Sequence, residues 1–278
     1  MPRSAAFTVV ELLVVVTIIV VLMALLAPAI DGAMEAASRA RCGAQQRAIH
    51  GAVWQYTSSN RSSYFICRYR AVQHSISNVI HKDYSKPGDE SVDWIMAAAT
   101  VGLVQRDDTK SGGHTPSSGE GQWHASKLWD CPSTTFKSTW VAGDVNGFNL
   151  GYQYMAGILQ WGSPFGAPYL NREARAPVKQ TRSDGGWVLL ADRVQYRRNG
   201  SPTWQPNHST DRSLLLAKSG ANHTYVDGSV HWERFADLQL VHSWHNIDSE
   251  FHLFRQSDLG PRGLPADASA DAVLMRWP

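Results

Sequence analysis

The chain has 278 residues, 43% of them apolar and 18% charged, and its formal net charge is +2. This balance is typical of a folded protein and excludes a disordered chain, and the length fits one large domain or two small ones. With a low net charge and no basic block, a nucleic-acid partner has no support. The eleven tryptophans provide large surfaces for packing, although exposed ones would equally bind sugars or proteins.

The first strong feature is an apolar run over residues 7–30. Sixteen of its 24 residues are Phe, Val, Leu or Ile, and Glu11 is its one charge. As a helix it would be about 36 Å long, enough for a hydrocarbon core of about 30 Å. Its apolar side chains favour insertion by roughly 5–10 kcal/mol, whereas one carboxylate costs about 3 kcal/mol. We predict a transmembrane helix, and Arg3 predicts a cytoplasmic N-terminus with everything after Ile30 outside.

A conventional secretory signal peptide is the alternative for this run. Residues 12–26 would form its apolar region, and Ala27-Pro28-Ala29 is a small-x-small triplet of the cleavage type. That hypothesis leaves Glu11 unexplained, because a charge gains nothing in such a region.

Residues 6–16, Ala-Phe-Thr-Val-Val-Glu-Leu-Leu-Val-Val-Val, closely resemble the cleavage and methylation signal of type IV prepilins and type II secretion pseudopilins. The resemblance implies that a prepilin peptidase removes residues 1–6 and that the new Phe7 amine is methylated. Ala6 stands where the family usually has Gly. Glu11 then falls at the family's assembly carboxylate, and Pro28 where many pilins have a helix-bending proline.

Glu11 needs a partner, because a lone carboxylate is costly in hydrocarbon. The natural one is the α-amino group of Phe7, in its own chain or in a neighbouring subunit, and the latter pairing would set the stagger of a fibre. Alternatively, Glu11 snorkels to the interface or is neutral there.

Beyond the apolar run, Pro28 predicts a bend, because proline lacks an amide donor and clashes with the preceding turn. The segment of residues 31–60 is predicted to form a second helix that ends before Thr57. Cys42, Ile49, Val53 and Tyr56 form its apolar stripe, with Arg39 and Arg47 elsewhere. We expect this amphipathic helix to pack on an exported head, residues 61–278, whose last twenty or so residues are a loose tail.

The head has short, mixed signals. Residues 91–99 predict a short helix and residues 187–192 an apolar strand, while residues 107–121 and 195–211 look like loops. Asp227-Gly228 between two β-prone runs predicts a hairpin with a primed turn. The predicted fold is α+β, with the long helix packed on an antiparallel sheet.

Residues 220–230, Gly-Ala-Asn-His-Thr-Tyr-Val-Asp-Gly-Ser-Val, resemble the C-terminal motif of planctomycete-type prepilin-like proteins, described as His, nine residues, then Asp-Gly. The stretches 38–42, 131–133, 151–154 and 189–192 resemble other parts of that family. The namesake His is absent, because that position is Ala217. The resemblance therefore implies an architecture rather than an activity.

The three cysteines, Cys42, Cys67 and Cys131, are too few and too scattered for a zinc motif or a disulfide framework. In an exported head, Cys67–Cys131 is a conceivable bridge with Cys42 left over, and sequence alone does not decide it.

Metal candidates are weak. Asp144, Asn146 and Asn149 have oxygen donors in a partial calcium-loop pattern that lacks a closing Glu. His242, His245, Asp248 and His252 cluster at near-helical spacing, but nothing else in the sequence completes a ligand set, so surface histidines in a polar segment are the favoured interpretation. We predict no metal and no cofactor, with calcium as the ion such a loop would take. Without a nucleophile elbow, P-loop or dinucleotide fingerprint, we do not expect an enzyme.

Two functions remain. In the first, the chain is a structural pilin or pseudopilin subunit of the inner membrane, with its head outside, that assembles with other subunits into a type IV pilus or type II secretion pseudopilus. In the second, the helix only anchors an extracytoplasmic protein that binds a polysaccharide or protein. Glu11 separates the two, because an anchor gains nothing from a buried carboxylate.

Overall fold

A computed structural model describes residues 8–65, 78–80, 94–107, 122–134, 136–141, 147–157, 160–161, 172–173, 176–197, 203–206, 208, 220–234, 237–244 and 250–256. Within these ranges the chain consists of one long N-terminal helix followed by antiparallel strands, which is the predicted α+β fold. Of the predicted loop at 107–121, Asp107 is the last residue of a strand, and residues 108–121 lie outside the described residues, as does the C-terminal tail.

The N-terminal helix α1 covers Val9–Ser59, a length of 51 residues. The two helices predicted on either side of Pro28 are therefore one, and the chain does not leave the helix at that position. The bend predicted at Pro28 stays a prediction. The helix ends at Ser59, three residues beyond the predicted end. Asn60 caps it, and the Asn60 N–H donates to Thr57 O.

The remaining elements are short. They are α2 (Trp94–Thr100), β1 (Asn78–Ile80), β2 (Val104–Asp107), β3 (Gln122–Ala125), β4 (Thr139–Val141), β5 (Gly147–Asn149), β6 (Tyr152–Tyr154), β7 (Gln160–Trp161), β8 (Arg172–Glu173), β9 (Val188–Asp192), β10 (Val194–Arg197), β11 (Thr203–Pro206), β12 (Gly220–Tyr225), β13 (Val230–Arg234), β14 (Gln239–Trp244) and β15 (Glu250–Phe254). Two 3-10 turns are formed by Lys127–Trp129 and Gln180–Arg182.

The sheet that positions the helix has the strand order β13-β12-β9-β6, and all its pairs are antiparallel. The second half of α1 packs on β12, β9 and β13. Every residue of β9 is buried, because the strand lies inside the sheet and beneath the helix. The continuous apolar run of residues 187–191 reflects this position, since a strand covered on both faces needs no polar alternation.

A second four-stranded sheet has the order β11-β10-β15-β14. Its hairpin β10–β11 pairs Val194 with Pro206 and Arg197 with Thr203, so the prediction of a loop over residues 195–211 is wrong for these strands. The polar sequence between the two strands favours a loop, so the hairpin has no clear signal in the sequence. Strand β10 also pairs with β15, more than fifty residues away. A three-stranded sheet, β1-β5-β4, and two strand pairs, β2-β3 and β7-β8, complete the described sheets.

The core is rich in aromatic side chains. Phe65 stacks on Tyr154 at 5.2 Å between ring centroids, and Trp94 lies 5.7 Å from Trp129. All four rings are almost completely buried. The Trp129 indole N–H donates to Leu103 O at 3.1 Å, so this polar group is satisfied inside the core. Packing is therefore the role of these two tryptophans.

The hairpin of β12 and β13 forms around Asp227-Gly228, where the sequence predicted one, but its turn differs in type. Tyr225 and Ser229 close a three-residue loop, and Gly228 N donates to Tyr225 O at 3.0 Å. Gly228 has a positive φ of 86°, whereas Asp227 does not. The primed two-residue turn is thus wrong, because a type I turn followed by a left-handed Gly fits this loop length.

Replacing Gly228 by valine is expected to lower the free energy of unfolding by about 1–3 kcal/mol. A β-branched residue resists positive φ, and a Cβ would lie 3.1 Å from His50 Cε1. Chemical denaturation of the purified protein measures the loss. Gly228→Asn is the matched control and should lose less, because Asn tolerates the left-handed region. Equal stability of the Val variant and the wild type would contradict this account of the turn.

Candidate functional site

The first half of α1 presents apolar side chains on all sides. Large hydrophobic residues from Val9 to Leu26 are 44–80% exposed, and no residue in the most apolar 18-residue stretch is buried. The one polar side chain in its middle, Thr17, donates to Leu13 O at 2.7 Å. This helix is long and apolar enough to cross a membrane.

Glu11 lies in the first turn of this helix and helps to cap its N-terminus. Its Oε2 accepts hydrogen bonds from Thr8 N at 2.9 Å and from Thr8 Oγ1 at 2.7 Å. In return, Glu11 N donates to Thr8 Oγ1 at 3.2 Å, which completes a capping box. The carboxylate therefore has a local role in starting the helix, one that sequence reasoning had not assigned to it.

Several predicted site residues lie outside the described residues, namely Ala6, Phe7, Asp144, Asn146, His245 and Asp248. Asn149 ends β5, and its Oδ1 accepts from Arg193 Nη1 at 3.5 Å. His242 and His252 are directly paired on β14 and β15. These two residues therefore belong to strands, although the sequence spacing of the histidine cluster is close to that of a helix.

The second half of α1 is fastened to the head through a disulfide between Cys42 and Cys131. The hypothesis of a Cys67–Cys131 bridge with Cys42 left over is therefore wrong. Both bonded cysteines are fully buried. Cys42 belongs to the predicted stripe with Ile49, Val53 and Tyr56, all of which are buried as predicted.

Beside the disulfide lies a buried carboxylate, Asp192, at the end of β9. Its Oδ1 accepts from Gln46 Nε2 at 2.8 Å, while its Oδ2 accepts from Asn222 N at 2.7 Å and from Asn222 Nδ2 at 3.0 Å. A fourth contact joins Oδ2 to His208 Nε2 at 3.1 Å. All of these donors are buried, so one carboxylate connects α1, β12 and the segment at His208.

The imidazole of His208 is held on both of its nitrogens. Besides Asp192, it contacts Glu35 Oε1 and Ser133 Oγ through Nδ1, at 3.1 Å and 2.9 Å, and Cys131 Sγ through Nε2 at 3.7 Å. Burial lowers the pKa of His208, but the hydrogen bond and charge of Asp192, aided by Glu35, outweigh burial, so its pKa is raised. Protonated, the ring donates to a carboxylate on each side.

We call the region where α1 packs on the head beside Cys42 and Asp192 the helix–head junction. The helix contributes a further ion pair at this junction. Arg39 Nε donates to Glu35 Oε1 at 2.9 Å, one turn apart, and its guanidinium lies 4.1 Å from the centre of the Trp232 ring. The sequence predicts Arg39 to lie away from the buried stripe. Its spacing of three residues from Cys42 instead puts it over β13.

A second buried histidine, His223 on β12, is neutral. Its Nδ1 donates to Ala221 O at 3.1 Å, and its Nε2 accepts from Arg255 N at 3.1 Å. Only the neutral ring can make both hydrogen bonds, because imidazolium has no acceptor. Burial is the main cause that lowers the pKa of His223. This ring therefore ties β12 to the chain after β15 without carrying a charge.

The cluster of Cys42, Cys131, Asp192 and His208 was not found by sequence reasoning. One ligand atom from each residue lies within 4.8 Å of all the others, and all four residues are buried. Gln46 is the one sequence signal that indicates a buried polar contact here, because it lies on the buried stripe, four residues after Cys42 and three before Ile49. A polar side chain on a buried stripe needs a polar partner in the head, and Asp192 provides it.

In comparisons with known proteins, no family model matches the chain, and neither a curated protein nor a solved structure matches it.

Proposed function

We propose that the protein is a structural subunit of the pilin or pseudopilin type, anchored in the inner membrane by the first half of α1 with its head outside. The observation that carries the proposal is the division of one continuous helix into two halves. Residues 9–27 are exposed and, apart from Glu11 and Thr17, apolar, whereas the stripe from Cys42 to Tyr56 is buried against the head. A helix of this kind inserts in a bilayer and then packs against copies of itself in a fibre.

Glu11 supports assembly over simple anchoring. It is a single carboxylate in a segment where a charge opposes insertion. Both hydrogen bonds from Thr8 use Oε2, and the pairing we propose joins Oε1 to the Phe7 amine of a neighbouring subunit. Cleavage after Ala6 by a prepilin peptidase would create that amine.

The Cys42–Cys131 disulfide supports a head outside the cytoplasm, because disulfides persist in oxidising compartments. It also joins the helix covalently to the head. In a fibre, force applied to the helix would reach the head through this bond as well as through packing.

Membrane-tethered binding is the competing function, and a surface of exposed, coplanar tryptophans would favour it. Among the tryptophans whose side chains the structure describes, Trp94 and Trp129 are buried, Trp187 is half-buried, and Trp232 lies under Arg39. Trp54, which is 42% exposed, stacks on His50. This part of the chain therefore offers no pair of exposed tryptophans for a sugar.

Replacing Glu11 by leucine is expected to leave membrane insertion intact or improved and to reduce assembly to near background. The substitution removes a group that is costly in hydrocarbon, and it leaves the neighbour's amine unpaired. Glu11→Asp should retain part of the assembly, since its carboxylate is one methylene shorter. Membrane fractionation measures insertion, and crosslinking with shearing of fibres measures assembly, in a host that expresses the natural partners.

Thr17→Val is the matched control, because it changes one exposed polar residue of the same helix whose hydroxyl donates to Leu13 O one turn earlier. It should insert and assemble like the wild type. Normal assembly of the inserted Leu variant would contradict the subunit proposal and favour the tethered binding protein.

A further inference from the structure

Four buried side chains from distant parts of the sequence converge beside the helix–head junction. Cys42 comes from α1, Cys131 follows a 3-10 turn, Asp192 ends β9, and His208 lies after β11. Two sulfurs, one imidazole nitrogen and one carboxylate oxygen are the donors that proteins use for zinc. In the oxidised chain these groups form a disulfide and an ion pair. The same arrangement of atoms is also suited to binding a metal ion.

The distances are close to those of a tetrahedral site. With zinc bonds of 2.0–2.3 Å, ligand atoms stand roughly 3.3–3.8 Å apart. His208 Nε2 is 3.1 Å from Asp192 Oδ2 and 3.7 Å from Cys131 Sγ. No two ligand atoms of the set are more than 4.8 Å apart. Once the disulfide is reduced, the two sulfurs can separate to non-bonded distance, and small side-chain shifts close the site.

The groups behind the ligands also fit a metal site. A histidine that binds a metal through one nitrogen usually donates its other N–H to a carboxylate or hydrogen-bond acceptor, which fixes the ring. His208 has Nε2 directed at the cluster and Nδ1 held by Glu35 and Ser133. Asp192 likewise has its other oxygen, Oδ1, held by Gln46. The supporting contacts of both ligands therefore exist without the metal.

We propose that the dithiol form of the protein binds one Zn²⁺ through Cys42, Cys131, Asp192 and His208, and that the disulfide form does not. A dithiol reductant supplies two electrons and two protons, which break the S–S bond and give two thiols. Zinc then displaces the two thiol protons and any proton on His208 Nε2, forming two Zn–S bonds, one Zn–N bond and one Zn–O bond. The oxidised and metal-bound states exclude each other, because the same sulfurs cannot serve both.

The test uses the full chain in detergent micelles, reduced and desalted without oxygen, and titrated with Zn²⁺ against a chromophoric chelator. The expected result is one Zn²⁺ per reduced chain and none per oxidised chain. Co²⁺ in place of Zn²⁺ should give thiolate charge-transfer bands in the reduced chain only. Near-ultraviolet circular dichroism follows the fold in every sample.

Three variants locate the site. Cys131→Ser should bind more than about 100-fold more weakly, because it loses a ligand and not merely an outer-shell partner. Glu35→Gln should bind about 10–100-fold more weakly, as expected when an outer-shell carboxylate becomes neutral. Cys67→Ser is the matched control, since it removes the one cysteine outside the cluster, and should bind like the wild type.

A reduced chain that keeps its fold and binds no Zn²⁺ would overturn the proposal. So would equal binding by the oxidised chain, or binding that survives Cys131→Ser and is lost in Cys67→Ser. If the reduced chain loses its near-ultraviolet signal and Zn²⁺ does not restore it, the cluster is a structural disulfide beside an ion pair and nothing more.

Discussion

Replacing Asp192 by asparagine is expected to lower the free energy of unfolding by about 3–5 kcal/mol, the range for breaking a buried ion pair on one side. The carboxylate accepts from Gln46, from both nitrogens of Asn222 and from His208. An asparagine has the same shape, but its amide nitrogen would face one of these donors in either orientation. His208 would also lose the negative charge that raises its pKa.

The measurement is urea unfolding of the full chain with the disulfide intact and a chelator present, so that metal binding does not contribute. Asp184→Asn is the matched control. Asp184 is an exposed carboxylate whose Oδ1 accepts from Gly186 N, and asparagine can keep that hydrogen bond. The control should stay within about 0.5 kcal/mol of the wild type. A loss below 1 kcal/mol in the Asp192 variant would mean that this carboxylate does not anchor the junction.

The parts of this fold that could be predicted are those with a local signature. The stripe of Cys42, Ile49, Val53 and Tyr56 repeats with the helix period, so burial of one face follows from the spacing alone. The strand at residues 188–192 coincides with an uninterrupted apolar run over residues 187–191, and Gly228 marks a turn because few other residues adopt its φ.

The junction could not be predicted, because its contacts join residues far apart in the chain. The bond from Gln46 to Asp192 spans 146 residues, and that from Thr224 Oγ1 to Gln46 Oε1 spans 178. The sequence of a short segment does not indicate which distant residue it will contact. The choice of Cys42 as the partner of Cys131 has the same origin, since it depends on how the helix lies on the sheet.

The prediction of the turn type at Asp227-Gly228 was wrong for a related reason. The dipeptide is compatible with both a two-residue and a three-residue loop. Strand register decides between them, and here Thr224 pairs with Val230. That register is determined by burial of β12 between β13 and β9, which is not a property of the turn sequence.

Packing of the backbone near Cys131 leads to a second large expected effect, at Gly151. A methyl group at this position would overlap the backbone carbonyl of Trp129, two residues before the disulfide. The φ of Gly151 is outside the left-handed region, so the cost of a side chain is steric and not conformational. Backbone atoms cannot swing away as a side chain can, and the segment that carries Trp129 and Cys131 would have to move.

Gly151→Ala is therefore expected to lower the free energy of unfolding by about 3 kcal/mol, the upper part of the range for overpacking. Gly51→Ala is the matched control, because a Cβ there meets nothing within 4 Å in α1. It should raise stability by about 0.5–1 kcal/mol, the gain for replacing a helical glycine. Urea unfolding of both variants measures the difference. If Gly151→Ala is as stable as Gly51→Ala, the close approach is not required, and the position of Cys131 beside Cys42 has another cause.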